Sequence, residues 1–446
     1  MTARAVLPRS FAKQYPVAAR AEGARIWDID GREYTDLSGS AAVNFIGFGV
    51  DAIADAMAAQ ARQLPFVHSS QFTSEIAERF AAEVLEFAGA AFEGGAVFFT
   101  CGGSEAVETA LKLARQYQVE TGHPDRFEII SRRQAYHGAT LGALAVSGNT
   151  ARRAIYLPMV REFEHIDMPY CYRCAFNCEN CGHQYAQELR AAIEHSAGRA
   201  AAFIGEPMSG ATLGAVAPPS DYWPEIAAIC REHDLLLIAD EVMTGFGRTG
   251  RNFAMEHWNL QPDIIVAGKG IGSGYAPLGA VIASPRVVSA LRQGSGTLIH
   301  GFTYIAHPVS MAAGSAVLER IRTGDLVKAS DSHAGSIGKP FAKALHTMAK
   351  HEAVGDVRGL GLLWGVEFVQ DRATKKSFPA EMKFSSRVAA AAMKRGVLTY
   401  PMQGSIDGKN GDHLLLAPPA VERERLLEAL DQLSDAIAEA ADHAAR

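Results

Sequence analysis

At 446 residues the chain exceeds what one hydrophobic core usually holds, so a large domain with one or two smaller lobes is expected. With 48% hydrophobic and 21% charged residues and 42 glycines, its composition excludes a disordered or fibrous chain and fits a folded α/β protein. A formal net charge of -6 with no Lys/Arg run excludes general nucleic-acid binding and favours small-molecule chemistry.

The arginines in Met1 to Ser10 have no apolar stretch behind them. No window holds the ~18 apolar residues a membrane helix needs, so a cytoplasmic protein without membrane segments is expected. Arg25 to Leu37 (RIWDIDGREYTDL) reads as a hairpin around Asp30-Gly31, and Asp51 to Leu64 and Ser74 to Phe87 carry helical apolar spacing. From Gly95 the pattern becomes strand, loop, helix, repeated: Ala96 to Thr100, a helix from Ser104 to about Thr121, Phe127 to Ser131, then a helix after Gly138. Further apolar runs at Ala201 to Gly205, Leu235 to Ala239, Ile264 to Ala267 and Leu278 to Ala283 read as buried strands of a parallel sheet. After Leu326 come a helix, the glycine-rich Val357 to Val369, and a last helix near Glu422 to Ala440, which together read as an antiparallel-plus-helix lobe.

Four of the six cysteines cluster as Cys171, Cys174, Cys178 and Cys181, spaced C-x2-C-x3-C-x2-C. Structural zinc sites usually part their two knuckles by a longer loop, and three residues leave little room for that. Bound metal, reduced surface thiols and disulfides all remain open; the cluster receives no catalytic role and no metal ligand is assigned.

In an open parallel sheet the ligand site lies outside the carboxyl ends of the strands, so polar residues just after apolar runs carry most weight. Gly102 to Ser104, Glu206, Asp240 and Lys269 are such positions and should share one edge. Asp240 and Lys269 bring a carboxylate and an amine to adjacent strand ends, which fits either a structural ion pair or a reactive pair. A pyridoxal cofactor needs this combination. A lysine forms the exchangeable imine and then moves the proton, while a carboxylate keeps the pyridine nitrogen protonated. Cys101-Gly102-Gly103-Ser104 turns a strand into a helix whose free N–H groups suit a phosphate, and Ser104 also reads as a plain N-cap. Tyr136-His137-Gly138 offers an aromatic ring to stack on a cofactor, or a core tyrosine. Gly245 to Gly250 matches G-x-G-x-x-G, but no long helix follows, so the dinucleotide reading it suggests is weak.

These residues resemble the class III aminotransferases, fold-type I pyridoxal-phosphate enzymes that include ornithine, 4-aminobutyrate and ω-amino acid–pyruvate transaminases. The resemblance covers nearly the whole chain through Phe99 to Ala106 (FTCGGSEA), Tyr136-His137-Gly138, Gly205-Glu206-Pro207, Asp240 to Gly250 (DEVMTGFGRTG), Ala267 to Gly279 (AGKGIGSGYAPLG) and Gly301 to Tyr304 (GFTY). It implies a large, mostly parallel-sheet domain with helices on both faces, plus a smaller α+β lobe from both termini. The expected boundaries are 1–64 for the N-terminal part of the small lobe, 65–328 for the cofactor domain and 329–446 for the C-terminal domain.

By the same resemblance Lys269 is the Schiff-base lysine, Asp240 the partner of the ring nitrogen, and Gly103 with Ser104 the phosphate cup. Tyr136 and Val242 would cover the two ring faces, with His137 and Glu206 beside the cofactor. Thr303 would reach the phosphate of a neighbouring subunit, which implies a homodimer with shared sites. The implied reaction is ping-pong transfer of an amino group from an ω-amino acid or amine to a 2-oxo acid, pyruvate favoured. A racemase or aminomutase of the same fold, and a nicotinamide oxidoreductase, are the alternatives. Ornithine- and aminobutyrate-type members carry a carboxylate-binding arginine where this chain has Leu415. Many ω-amine members carry one after a strand like Gly396 to Thr399, where this chain has Tyr400 and an inserted-looking Pro401 to Asp412.

Overall fold

The computed structural model describes residues 5–174, 176 and 181–444. At its centre is a seven-stranded sheet, in the order Ala96–Thr100, Gly279–Ala283, Ile264–Ala267, Leu236–Asp240, Ala200–Gly205, Glu128–Arg132 and His165–Ile166. From Ile264–Ala267 to His165–Ile166 every neighbouring pair is parallel. Gly279–Ala283 departs from the expected parallel sheet, running antiparallel to both its neighbours, with Gly279 opposite Thr100 and Ala280 opposite Ala267. A strand apolar on both faces carries no sign of its direction, which is why periodicity could not find this reversal.

Side chains alternate across a strand, and the alternation divides the core. Ile129, Ala202, Ile204, Leu236, Ile238, Ile264, Val266 and Val281 pack with the helix Gly103–Glu120 through Val107, Ala110 and Ala114. The intervening Phe203, Leu237 and Ala239 face the helices Cys181–His195 and Tyr222–Glu232, while Ile265, Ala267, Ala280 and Ile282 join the helices Glu75–Ala88 and Pro308–Thr323. Helices therefore cover both faces, and the strand ends are left as the exposed edge.

Two four-stranded sheets flank this body. Ala18–Glu22, Arg25–Asp28 and Glu33–Asp36 form the expected hairpin and its neighbour, and Val397–Leu398 adds to Glu33–Asp36 in parallel, so both chain ends build one sheet. The stretch read as glycine-rich is the hairpin Val354–Leu360/Leu363–Phe368, extended by Asp412–Leu416 and Tyr400–Gln403. The inserted-looking segment is thus a β-hairpin. Among the described residues no helix is long and apolar enough to cross a membrane.

Candidate active site

A cavity of about 270 Å³ opens at the carboxyl edge of the central sheet. Gly103, Ser104, Tyr136, His137, Glu206, Asp240, Val242 and Lys269 all line it. They arrive separately: Asp240 ends its strand, Glu206 and Lys269 follow theirs closely, and Tyr136 and His137 follow Glu128–Arg132. Thr303 does not line this cavity; it lies exposed in the loop between the helices Pro285–Gln293 and Pro308–Thr323.

Asp240 is buried and its Oδ1 accepts the Val242 N–H at 3.1 Å. Its Oδ2 lies 2.6 Å from Nδ1 of the equally buried His137. Lys269 is lodged with a left-handed backbone (φ 44°), a conformation a lysine adopts only where its surroundings enforce it. Burial lowers its ammonium pKa against the opposing pull of Asp240 and Glu206, and Arg152 and Arg248 add to the lowering. Glu206 is pushed upward by burial, with His137 acting against that and Asp240 reinforcing it. Its Oε1 accepts the Gly210 N–H at 3.0 Å, which fixes the carboxyl group at the cavity wall.

The N-cap of the helix Gly103–Glu120 is Gly102, with no side-chain cap, which corrects the reading of Ser104 as N-cap. Ser104 lies within the first turn, and its Oγ accepts the Ala139 N–H at 3.0 Å, tying the helix start to the loop after Tyr136-His137-Gly138. The close approach here requires glycine: a Cβ on Gly103 would stand 2.9 Å from Val242 Cγ1, and one on Gly138 2.7 Å from Ser104 Oγ. This geometry fits pyridoxal phosphate. Uncapped N–H groups at a helix start suit its phosphate, and a buried carboxylate suits its ring nitrogen. A desolvated amine close by suits its aldehyde.

Sequence reasoning missed Arg9, Arg152, Met208, Met243 and Tyr400, which also line the cavity. Arg152 stands with its guanidinium 4.4 Å from the Tyr136 ring centroid. Leu415, at the position of one expected clamp, is fully buried beside Met208 and Ala211. The Gly245 to Gly250 run is a series of turns that opens no helix, and its Arg248 donates to Asn44 O at 2.8 Å and Ala417 O at 2.9 Å. The run is a structural knot, so the dinucleotide reading falls.

The family model described as "Aminotransferase class-III" matches residues 8–437. The chain belongs to the class III aminotransferases. It is 40% identical over 408 residues to the Bacillus subtilis protein named uncharacterized aminotransferase YodT, covering 91% of this chain and 90% of that one. It is 34% identical to the diaminobutyrate–2-oxoglutarate transaminase of Halomonas elongata, across 94% of this chain and 90% of that one. An (S)-enantioselective omega-transaminase from Thermomicrobium roseum superposes with a TM-score of 0.89 at 35% identity, over 99% of this chain and 96% of that one. As a class III aminotransferase the chain is a fold-type I, pyridoxal-phosphate-dependent transaminase.

Proposed function

We propose that this class III aminotransferase takes the amino group of an ω-amino acid and passes it to a 2-oxo acid, pyruvate favoured, in a ping-pong cycle at the cavity around Lys269. Pyridoxal phosphate supplies the aldehyde that receives the amino group and the ring that accepts electrons from the donor's carbon. Lys269 binds the cofactor and afterwards moves the proton at the reacting carbon, a task suited to an amine whose proton affinity burial has lowered. Asp240 holds the ring nitrogen protonated, and His137 orients Asp240. Gly103 and Ser104 hold the phosphate, Tyr136 and Val242 cover the ring faces, and Glu206 shapes the wall beside them.

The observation that carries the donor class is Arg152. Its guanidinium lines the cavity and has no carboxylate partner among the described residues, and Arg9 lines the same cavity. A cation there is matched by the carboxylate that an ω-amino acid bears and a simple amine lacks. The Halomonas relative's name, with its diamino acid donor, supports an amino-acid donor but names 2-oxoglutarate as acceptor. Pyruvate remains favoured, because a small acceptor asks nothing of the buried Leu415 where a second carboxylate clamp would otherwise stand.

The proposal includes a homodimer in which Thr303 reaches the neighbouring subunit's phosphate. Its exposure and its absence from the lining of its own chain's cavity support that reading. A donor panel tests the chemistry: 4-aminobutyrate, β-alanine and 1-phenylethylamine, each with pyruvate or 2-oxoglutarate, scored by alanine or glutamate formed. Alanine from the ω-amino acids in preference to the amine is the expected result. Glutamate formation without alanine overturns the acceptor assignment, and a preference for the amine overturns the donor class.

A further inference from the structure

Among the described residues no three His, Cys, Asp or Glu side chains are grouped to hold a metal ion, and Cys178 of the cysteine run lies outside those residues. The inserted-looking hairpin Tyr400–Gln403/Asp412–Leu416 has more to do with the cavity. Its strands meet once more at the tip, where the Gly404 N–H donates to Gly411 O at 2.8 Å. Beyond that pair Asp407 folds the turn on itself, its Oδ1 accepting the Lys409 N–H at 2.8 Å and the Asn410 N–H at 2.7 Å. The folded turn lies against the short helix Thr150–Arg153, with Thr150 Oγ1 donating to Asp407 O at 3.2 Å. Gly408 has a left-handed backbone (φ 87°), and a Cβ there would overlap Thr150 Oγ1, so the turn packs on the helix by its backbone.

A second tie runs beside the first. Gln134 Nε2 donates to Gly404 O at 3.3 Å, and Asn149 Nδ2 donates to Gln134 Oε1 at 2.8 Å. Asn149 Oδ1 then caps the helix by accepting the Arg152 N–H at 3.1 Å. The helix has little else to hold it: a single turn is not stable alone in water, and no residue of Thr150–Arg153 is buried. The Arg152 guanidinium has no carboxylate partner among the described residues and stands over the Tyr136 ring, two residues beyond Gln134. Its reach into the cavity is therefore set by where the helix backbone stands.

We propose that the tip of this hairpin sets donor specificity by positioning Arg152, with Thr150, Asn149 and Gln134 passing its hold to the helix. This role rests on the reading of Arg152 as the contact for the donor's carboxylate. A guanidinium recognises a carboxylate through directed hydrogen bonds, so a helix released from the hairpin weakens that contact and leaves a donor without a carboxylate untouched. The base of the same hairpin lines the cavity through Tyr400, which pairs with Leu415. One hairpin thus supplies cavity wall at its base and aims a cation from its tip.

The test uses full-length protein with its cofactor and follows the first half of the reaction, the loss of the visible band of lysine-bound cofactor on mixing with donor alone. No acceptor takes part. β-Alanine and 4-aminobutyrate are compared with 1-phenylethylamine. In the main variant Ser405–Asn410 is replaced by Asn-Gly, a two-residue turn that closes the strands where Gly404 and Gly411 already pair. It should raise the half-saturating concentration of the ω-amino acids roughly tenfold, with the limiting rate and the response to 1-phenylethylamine near wild type. Combined with Arg152→Ala it should add nothing further, because both changes remove one contact. Thr150→Val keeps the shape at Gly408 and loses the hydroxyl; it should move the same constant in the same direction, and Thr150→Ser should restore it. That pair decides the matter if the shortened hairpin does not fold. Additive losses with Arg152→Ala, equal effects on both kinds of donor, or unchanged constants in the shortened and Thr150→Val proteins overturn the proposal, and a raised constant in Arg152→Ala then still upholds the donor reading. If Arg152→Ala itself treats both kinds of donor alike, the donor reading fails and the positioning role falls with it.

Discussion

His137 Nδ1 lies 2.6 Å from Asp240 Oδ2, with both side chains buried. An ionised carboxylate only accepts, so the proton of this bond sits on Nδ1. His137 Nε2 is buried with no partner among the described residues, so the ring is held chiefly by Asp240 and by the Ser147 Oγ that receives its backbone N–H at 2.8 Å. Asp240→Asn should leave the cofactor bound but slow turnover severely, because a neutral amide cannot keep the ring nitrogen protonated. His137→Ala should keep the carboxylate and lose its orientation. A fall in kcat of roughly ten- to a hundred-fold is expected, the worth of one charge-assisted hydrogen bond of ~1.5–3 kcal/mol. Steady-state kinetics at saturating cofactor measures both, and near-normal kcat in Asp240→Asn would make the carboxylate purely structural.

Lys269→Ala should abolish turnover and the visible band of lysine-bound cofactor while the protein stays folded. Burial opposes the charge on Lys269, so truncating it removes a penalised group and costs little stability. Absorbance and far-ultraviolet circular dichroism separate the two effects. A retained band in the variant would mean another amine carries the cofactor.

The strand ends were legible because an apolar run that stops at a single polar residue has few other readings. Asp240 after LLLIA and Lys269 after IIVAG announce themselves, and the structure brings both to one cavity. Arg9, Arg152 and Tyr400 were not legible. They come from an N-terminal segment, a short helix at Thr150–Arg153 and a hairpin strand, and nothing in their local sequence says which cavity they enter. The pairing of His137 with Asp240 spans 103 residues of chain, beyond any local pattern. The N-cap reading of Ser104 falls because Gly102, which holds that position in extended backbone, carries no side-chain signal.

Arg152→Ala should raise KM for ω-amino acid donors roughly ten- to a hundred-fold, the loss of one charge-assisted contact of ~1.5–3 kcal/mol, and leave KM for an uncharged-tail amine nearly unchanged. The comparison of the two donors matters more than either value. Equal effects on both would assign Arg152 to holding Tyr136, over whose ring it stands, instead of to the substrate.

Glu241 sets a pH dependence of stability. It is fully buried, accepts the Ala254 and Met255 N–H groups at 2.9 Å each, and burial pushes its pKa up to about 7. A carboxyl group whose folded pKa lies above its unfolded value of 4.5 binds more protons when folded. Its contribution is therefore fully present below the unfolded value and is lost as pH rises through about 7. Tm measured from about pH 5 to about pH 8 should include a decline that Glu241→Gln removes, since the amide does not ionise. Parallel pH profiles for the two proteins would contradict the burial argument.

Thr303 tests the shared site. It lies exposed in a loop whose neighbours are pinned, His300 by Thr109 Oγ1 at 2.9 Å and Tyr304 against Phe66 with ring centroids 5.5 Å apart. If its hydroxyl donates to the phosphate held by a second subunit, Thr303→Ala should weaken cofactor retention by roughly 1.5–3 kcal/mol and spare turnover at saturating cofactor. Mixed dimers give the decisive arrangement. One subunit carries Thr303→Ala and the other Lys269→Ala, with different affinity tags to isolate the hybrid. If the hydroxyl crosses between subunits, both lesions fall in one site and the other is intact. Such a hybrid should show about half the wild-type activity and a wild-type dependence on cofactor concentration. If Thr303 serves its own subunit, the site that retains Lys269 is the one that lacks the hydroxyl, and activity should fall as cofactor is diluted. A cofactor dependence matching that of the Thr303→Ala homodimer would therefore remove Thr303 from the neighbouring site.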